Sequence, residues 1–125
     1  MSFKALLKID GEQYELTACK VTVHRKSDVK GKPSSKSGWS ISVIMDAMDD
    51  TKITEWMIDP HMQKDGEIEI LKLDEDAKLK LISFKKAYCV MMKESFYSYT
   101  SFMKTYLSIV GEELSIGESS VPILV

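Results

Sequence analysis

Runs of alternating apolar and polar residues, the Asp10-Gly11 turn signal between two such runs, and one lone helical stripe predict a mainly β chain. The expected architecture is a small antiparallel β-barrel or sandwich of about eight strands, with one short flanking α-helix at about 51–58 and a long exposed loop at about 27–38. Residues 3–9 and 12–17 read as strands joined at Asp10-Gly11, a dipeptide that tolerates the positive φ angles of a tight hairpin. Cys19, Val21 and Val23 then alternate with Lys20, Thr22 and His24, so one face of that strand can be buried while the other stays wet. From Ser27 to Gly38 no periodicity survives and turn formers dominate, which predicts an exposed loop. A loop of that length inside a compact domain is either functional or a plain solvated connection. Beyond it, Trp39, Ile41, Val43 and Met45 share one face opposite Ser40 and Ser42, as in a half-buried strand central to the core.

The helix is read from Thr51 to Ile58, with Asp49 or Asp50 as N-cap and Ile53, Trp56 and Met57 at the i, i+3, i+4 spacing of one apolar stripe. Asp59-Pro60 ends it, because a residue before proline is pushed out of the helical region. So short a helix does not persist alone in water, and Ile53, Trp56 and Met57 are expected to dock it on the sheet. Asp65-Gly66 opens a strand from Glu67 to Leu73, and Asp74-Glu75-Asp76 breaks the chain before a strand from Lys78 to Phe84. Tyr88 to Phe96 and Phe102 to Val110 are two more, separated by a turn region from Tyr97 to Ser101, and a short strand from Glu113 to Ile116 precedes Gly117. Leu71, Leu73, Ile82 and Met91 fall out of phase with Ile68, Ile70, Leu79, Leu81, Val90 and Met92. Either both faces of these strands are buried, one of them against a partner, or bulges shift the phase.

At 125 residues the chain has the length of one domain, read as residues 1–125. Its 44% hydrophobic and 29% charged residues exclude a disordered or collagen-like chain. The stretch from Met1 to Asp10 carries no long apolar run and no small-residue cleavage site. Cytoplasmic synthesis is therefore expected, with export only by a route that needs no cleaved signal, and without membrane insertion. Cys19 and Cys89 sit in apolar strand-like runs, where reduced thiols behave as small hydrophobes, and two cysteines without a secretory signal make no disulfide framework. The net charge of -2 is unevenly spread: Lys20, Arg25, Lys26, Lys30, Lys32 and Lys36 crowd one segment, while Glu112, Glu113 and Glu118 mark an end without basic residues. One part of such a surface can attract the opposite part of another copy.

Catalysis at neutral pH needs a nucleophile beside a base, two carboxylates in different surroundings, or a metal with three or four ligands. None of these can be read in the sequence, so no catalytic, cofactor-binding or metal-ligating residue is assigned and no cofactor is expected. His24 and His61 share no helical spacing. Asp46, Asp49 and Asp50 lack the glycine and distal glutamate of an EF-hand loop, and helix capping explains them more simply. Asp74-Glu75-Asp76 reads as a solvated turn. Gly31, isolated between lysines, makes no phosphate loop, and no aromatic residues interleave with the basic loop to stack on bases, which argues against nucleic acid.

Five stretches carry a wider pattern: Ser2 to Gly11; Asp28-Val29-Lys30-Gly31-Lys32-Pro33-Ser34-Ser35; Asp50 to Met57; Lys64 to Ile68; and Asp74 to Phe96. In this order and spacing they resemble the Hcp family of type VI secretion tube proteins, in its Bacteroidetes TssD branch. The second stretch resembles the family's extended loop and the third its single helix. Two departures are a single Gly38 before Trp39, where a glycine pair is expected, and a tail from Ser119 to Val125 that is apolar where the family is polar and acidic.

The resemblance implies a non-enzymatic, structural subunit of the secretion system's inner tube: a small β-barrel with one helix that closes into homohexameric rings. The rings stack, are expelled by a contractile sheath and can carry effectors. Implied partners are further copies of the chain and the sheath, spike and effector proteins, with residence in the cytoplasm and then secretion by the type VI route without a signal peptide. An assembly loop, for ring stacking or lateral contact, falls on Asp28, Lys30, Gly31, Lys32, Pro33, Ser34, Ser35 and Lys36. Two other classes stay open. A small-ligand or carbohydrate-binding β-barrel would be a monomer with an apolar cavity, and a small hydrolase would use His61 with Asp59 or Asp65.

Overall fold

The computed structural model describes residues 3–24, 38–46, 51–72, 77–99, 103–118 and 121–124. The elements are β1 (Phe3–Ile9), β2 (Glu12–His24), β3 (Gly38–Asp46), α1 (Lys52–Ile58), β4 (Lys64–Lys72), β5 (Ala77–Phe96), β6 (Met103–Glu118) and β7 (Val121–Leu124). The strands pair antiparallel in the order β3-β2-β1-β4-β5-β6-β7, and a further β3–β6 pairing closes six of them into a barrel. β7 lies outside that closure, paired with the last residues of β6.

The first hairpin follows from its turn. Asp10 (φ 54°) and Gly11 (φ 75°) both take positive φ, the geometry that lets a two-residue loop match the twist of its strands. Each strand then alternates toward the interior, and the register carries the apolar residues across: Tyr14 faces Leu7, Leu7 faces Ile68, and Ile68 faces Ile82. Leu7, Ile41, Val43, Met45, Ile68, Ile82, Leu107, Ile109 and Leu114 are all buried in one core cluster.

The sheet has seven strands among the described residues: two pairs of expected strands are single elements, and β7 adds a strand in the stretch read as a tail. The expected runs 78–84 and 88–96 form one 20-residue strand, and 102–110 with 113–116 form one of 16 residues. A bulge takes the place of the expected break in β5. Lys86 adopts φ 53°, and its backbone N–H donates to the Asp65 carboxylate at 2.9 Å. A second bulge between Cys89 and Met91 shifts the register again. These bulges correct the expected phase. Ile82 faces the core with Ile68 and Phe84, Leu81 is half-buried on the other face, and Val90 and Met91 are both exposed.

α1 begins at Thr51 as N-cap, which makes no side-chain capping bond; the expected caps Asp49 and Asp50 lie outside the described residues. Asp59 is extended at its C-cap, as a residue before proline must be, and its N–H still donates to Glu55 O at 3.1 Å. Of the expected loop, Gly38 opens β3 and pairs with His24; residues 27–37 lie outside the described residues.

Candidate assembly surface

The strand directions give the barrel two ends. One holds the Asp10-Gly11 turn, α1, the start of β4 and the tip where β5 meets β6; the other holds the start of β1, the outer part of β2 and the start of β5. At the first end α1 lays its apolar stripe into the core. Trp56 stacks on Phe84, with ring centroids 6.5 Å apart and planes within 6°, and its Nε1–H donates to Ala87 O at 3.1 Å. Ile53 is buried beside it and Met57 is half-buried against the same cluster. Lys64 Nζ stands 5.9 Å from the Trp56 ring and pairs with the Asp10 carboxylate, while Lys52 pairs with Glu12 at 2.8 Å. Gly66 allows a close approach here: a Cβ would sit 2.7 Å from Phe84 Cζ and 3.1 Å from Lys8 O, so a larger residue would have to push the ring aside.

The groups of the hydrolase reading are engaged otherwise. The Asp59 carboxylate accepts the backbone N–H of His61 at 2.9 Å, and Asp65 accepts from Lys86 N–H, so one carboxylate holds the turn after α1 and the other the β5 bulge. Among the described residues, no three His, Cys, Asp or Glu side chains gather as a metal set. Cys19 is a half-buried free thiol and Cys89 a buried one. Burial pushes both thiols up, and in Cys89, whose Sγ donates to Met91 O at 3.5 Å, that bond offsets part of the rise. Among the described residues, buried side chains form one core cluster in the barrel interior. Among the described residues, an open groove of ≈ 560 Å³ runs along the β1–β2 turn, lined by charges of both signs such as Lys8, Asp10, Glu67 and Lys85.

The predicted loop residues Asp28, Lys30, Gly31, Lys32, Pro33, Ser34, Ser35 and Lys36 lie outside the described residues. In sequence they fall between β2 and β3, whose pairing ends at His24 opposite Gly38. A second feature escaped the sequence reading. Phe96, Tyr97, Tyr99 and Met103 are all exposed at the tip of β5 and β6, with the two tyrosine rings 5.7 Å apart. The signal was present, since Phe96, Tyr97, Tyr99 and Phe102 crowd a segment where a hairpin turn would carry small or polar residues.

Sequence comparison with the curated proteins finds no match. The family model for hemolysin coregulated protein Hcp (TssD) matches residues 1–122. Among solved structures, Hcp1 from Flavobacterium johnsoniae is similar at a TM-score of 0.78 and 25% identity, covering 96% of this chain and 99% of that one. Hcp1 from Salmonella typhimurium is similar in fold at 0.78 with 10% identity, over 99% of this chain and 93% of that one. The sheath-tube complex of an extracellular contractile injection system reaches 0.66 at 12% identity, over 92% and 88%. Because the family model spans nearly the whole sequence and the fold agrees with it, the chain belongs to the TssD family, hemolysin coregulated protein Hcp.

Proposed function

We propose that this chain is a structural subunit of the inner tube of a type VI secretion system, without enzymatic activity. It closes into homohexameric rings that stack, are expelled by a contractile sheath, and carry effectors. Its partners are copies of itself and the sheath, spike and effector proteins; it binds no nucleic acid and does not insert in membranes. It resides in the cytoplasm until it is secreted without a signal peptide. Family membership supports this reading. The observation that carries it is the disposition of apolar surface: the interior is occupied by the chain's own side chains, while several large apolar residues face solvent. A surface of that kind suits association better than ligand capture, which disfavours the carbohydrate-binding barrel.

Asp28, Lys30, Gly31, Lys32, Pro33, Ser34, Ser35 and Lys36 form the assembly loop in this proposal. In sequence they fall between β2 and β3, whose pairing ends at His24 opposite Gly38, and their lysines can meet carboxylates of another copy. Two measurements test it. Negative-stain images of the purified protein should contain rings with a central hole, and a monomer at every concentration would overturn the tube reading. Deleting residues 29–37 should leave the melting temperature nearly unchanged but lower the particle mass, because closing a shorter loop costs little; intact rings and stacks would remove the loop from the proposal.

A further inference from the structure

One edge of β6 changes partner along its length, while β5 holds the other edge throughout. β3 stays beside β6 only from Lys104 to Ile109, and its outer residues Gly38, Trp39 and Ser40 pair with β2 instead. Among the described residues, no strand meets that edge again until β7, whose Val121, Pro122, Ile123 and Leu124 lie opposite Glu118, Gly117, Ile116 and Ser115. β7 ends the sheet, and one of its pairs uses Pro122, which has no N–H to donate. The pairing of Glu118 with Val121 leaves only Ser119 and Ser120 to join the two strands. Two-residue hairpin connections favour residues that take positive φ, as Asp10 (φ 54°) and Gly11 (φ 75°) do in the first hairpin. Serine carries a Cβ and has no such preference, so the β6–β7 hairpin lacks the turn chemistry of the β1–β2 hairpin.

We infer that the Ser115–Glu118 edge of β6 is a strand-acceptor site whose occupant exchanges between copies, so that β7 of one copy seats on β6 of a second. The strand already seated there shows what fits the edge, and a second copy carries the same Val121-Pro122-Ile123-Leu124 segment. Seated on another copy, β7 re-forms the same pairs, and its connection no longer has to reverse within two residues. The barrel does not depend on β7 for closure, because β3 and β6 close it. β7 can therefore leave its own β6 with the six-stranded core intact, and a short strand at the end of a sheet is among the elements that open at least cost. A strand added at a sheet edge is held by main-chain hydrogen bonds, so the exchange requires no pocket and no aromatic anchor. It is separate from the tube reading above, since it needs neither ring nor stack.

Disulfide trapping on the full chain tests the exchange. Ser115 and Leu124 lie directly opposite each other, within reach of a disulfide between cysteines placed there. A Ser115→Cys chain mixed with a Leu124→Cys chain should give a cross-linked dimer in oxidised glutathione, whereas the parent, with Cys19 and Cys89 alone, should give none. Adding Ser119→Asn/Ser120→Gly to both chains supplies a favoured hairpin turn, holds β7 on its own β6, and should lower the dimer yield about tenfold. A single chain bearing Ser115→Cys/Leu124→Cys reports the register by closing the link within itself, and a thermal melt checks that each variant is folded. If that chain closes its own link while the mixture gives no dimer, β7 stays with its own β6 and the exchange is overturned. A dimer yield that Ser119→Asn/Ser120→Gly leaves unchanged overturns it as well, because contact between intact copies would then account for the link. A folded single chain that closes no link overturns the register on which the exchange stands.

Discussion

Two aromatic groups of the barrel make ring contacts that look alike. Phe84 lies 6.3 Å from Trp39 and 6.5 Å from Trp56, and Tyr97 lies 5.7 Å from Tyr99. Their exposures are opposite: Trp56 is 1% exposed and Tyr99 84%. Ring contact alone therefore does not say what an aromatic residue contributes. Where the rings are dry, their apolar surface stabilises the fold; where they are wet, the same surface is left for a partner to cover.

The largest effect should come from the dry group. Trp56→Ala removes the stack on Phe84 and the hydrogen bond to Ala87 O, and should cost about 3–5 kcal/mol in a denaturant or thermal unfolding experiment. Trp56→Phe keeps most of the ring and should lose less, since it gives up mainly the hydrogen bond, about 1 kcal/mol. An unchanged melting temperature for Trp56→Ala would erase the distinction between the two groups. Next comes the close approach of β5 and β6 beside that hydrogen bond. A Cβ at Gly111 would lie 2.7 Å from Ala87 Cα, a backbone atom that cannot rotate away. Gly111→Ala should destabilise by about 1–3 kcal/mol as an overpacked site, and an equally stable variant would mean that the two strands separate here more readily than their pairing indicates.

Much of the dry region was legible before any coordinates, because local chemistry fixed it. Asp10-Gly11 sets its own hairpin, Asp59-Pro60 stops its own helix, and Trp39, Ile41, Val43 and Met45 alternate without interruption. The phase of β5 was not legible, because nothing at Lys86 or Val90 marks a bulge. Lys86 takes positive φ with the Asp65 carboxylate on its N–H, a contact 21 residues away in sequence. For the same reason the expected runs 78–84 and 88–96 are one strand, with a bulge at Lys86 where a break was expected. The aromatic tip was passed over because the hairpin was read only as a separator. The loop expected to assemble the protein lies outside the described residues.

A smaller effect should arise on the outer face, between the two regions in character. Glu69 is 6% exposed there and accepts a 2.9 Å bond from Lys8, whose side chain is more open to solvent. Lys8→Met should cost about 1 kcal/mol, a value held down by that solvent screening. Lys8→Met/Glu69→Leu should recover the loss, because two apolar residues replace a pair that needs desolvation. A double variant less stable than the single one would mean that the other contacts of Glu69 outweigh its pair with Lys8.

The smallest effect on stability belongs to the wet group, and it sharpens the comparison most. Tyr99 and Phe96 are 84% and 67% exposed, so folding removes little of their surface from water. Replacing either with serine takes away apolar area that the folded monomer barely buries, and the expected change in unfolding free energy is within about 0.5 kcal/mol. The monomer must be measured, at a concentration below any association, because an assembled state would add the contact's own free energy to the melt. A loss of about 2 kcal/mol or more under those conditions would mean that the tip supports the barrel itself, and the two aromatic groups would then differ in exposure without differing in role.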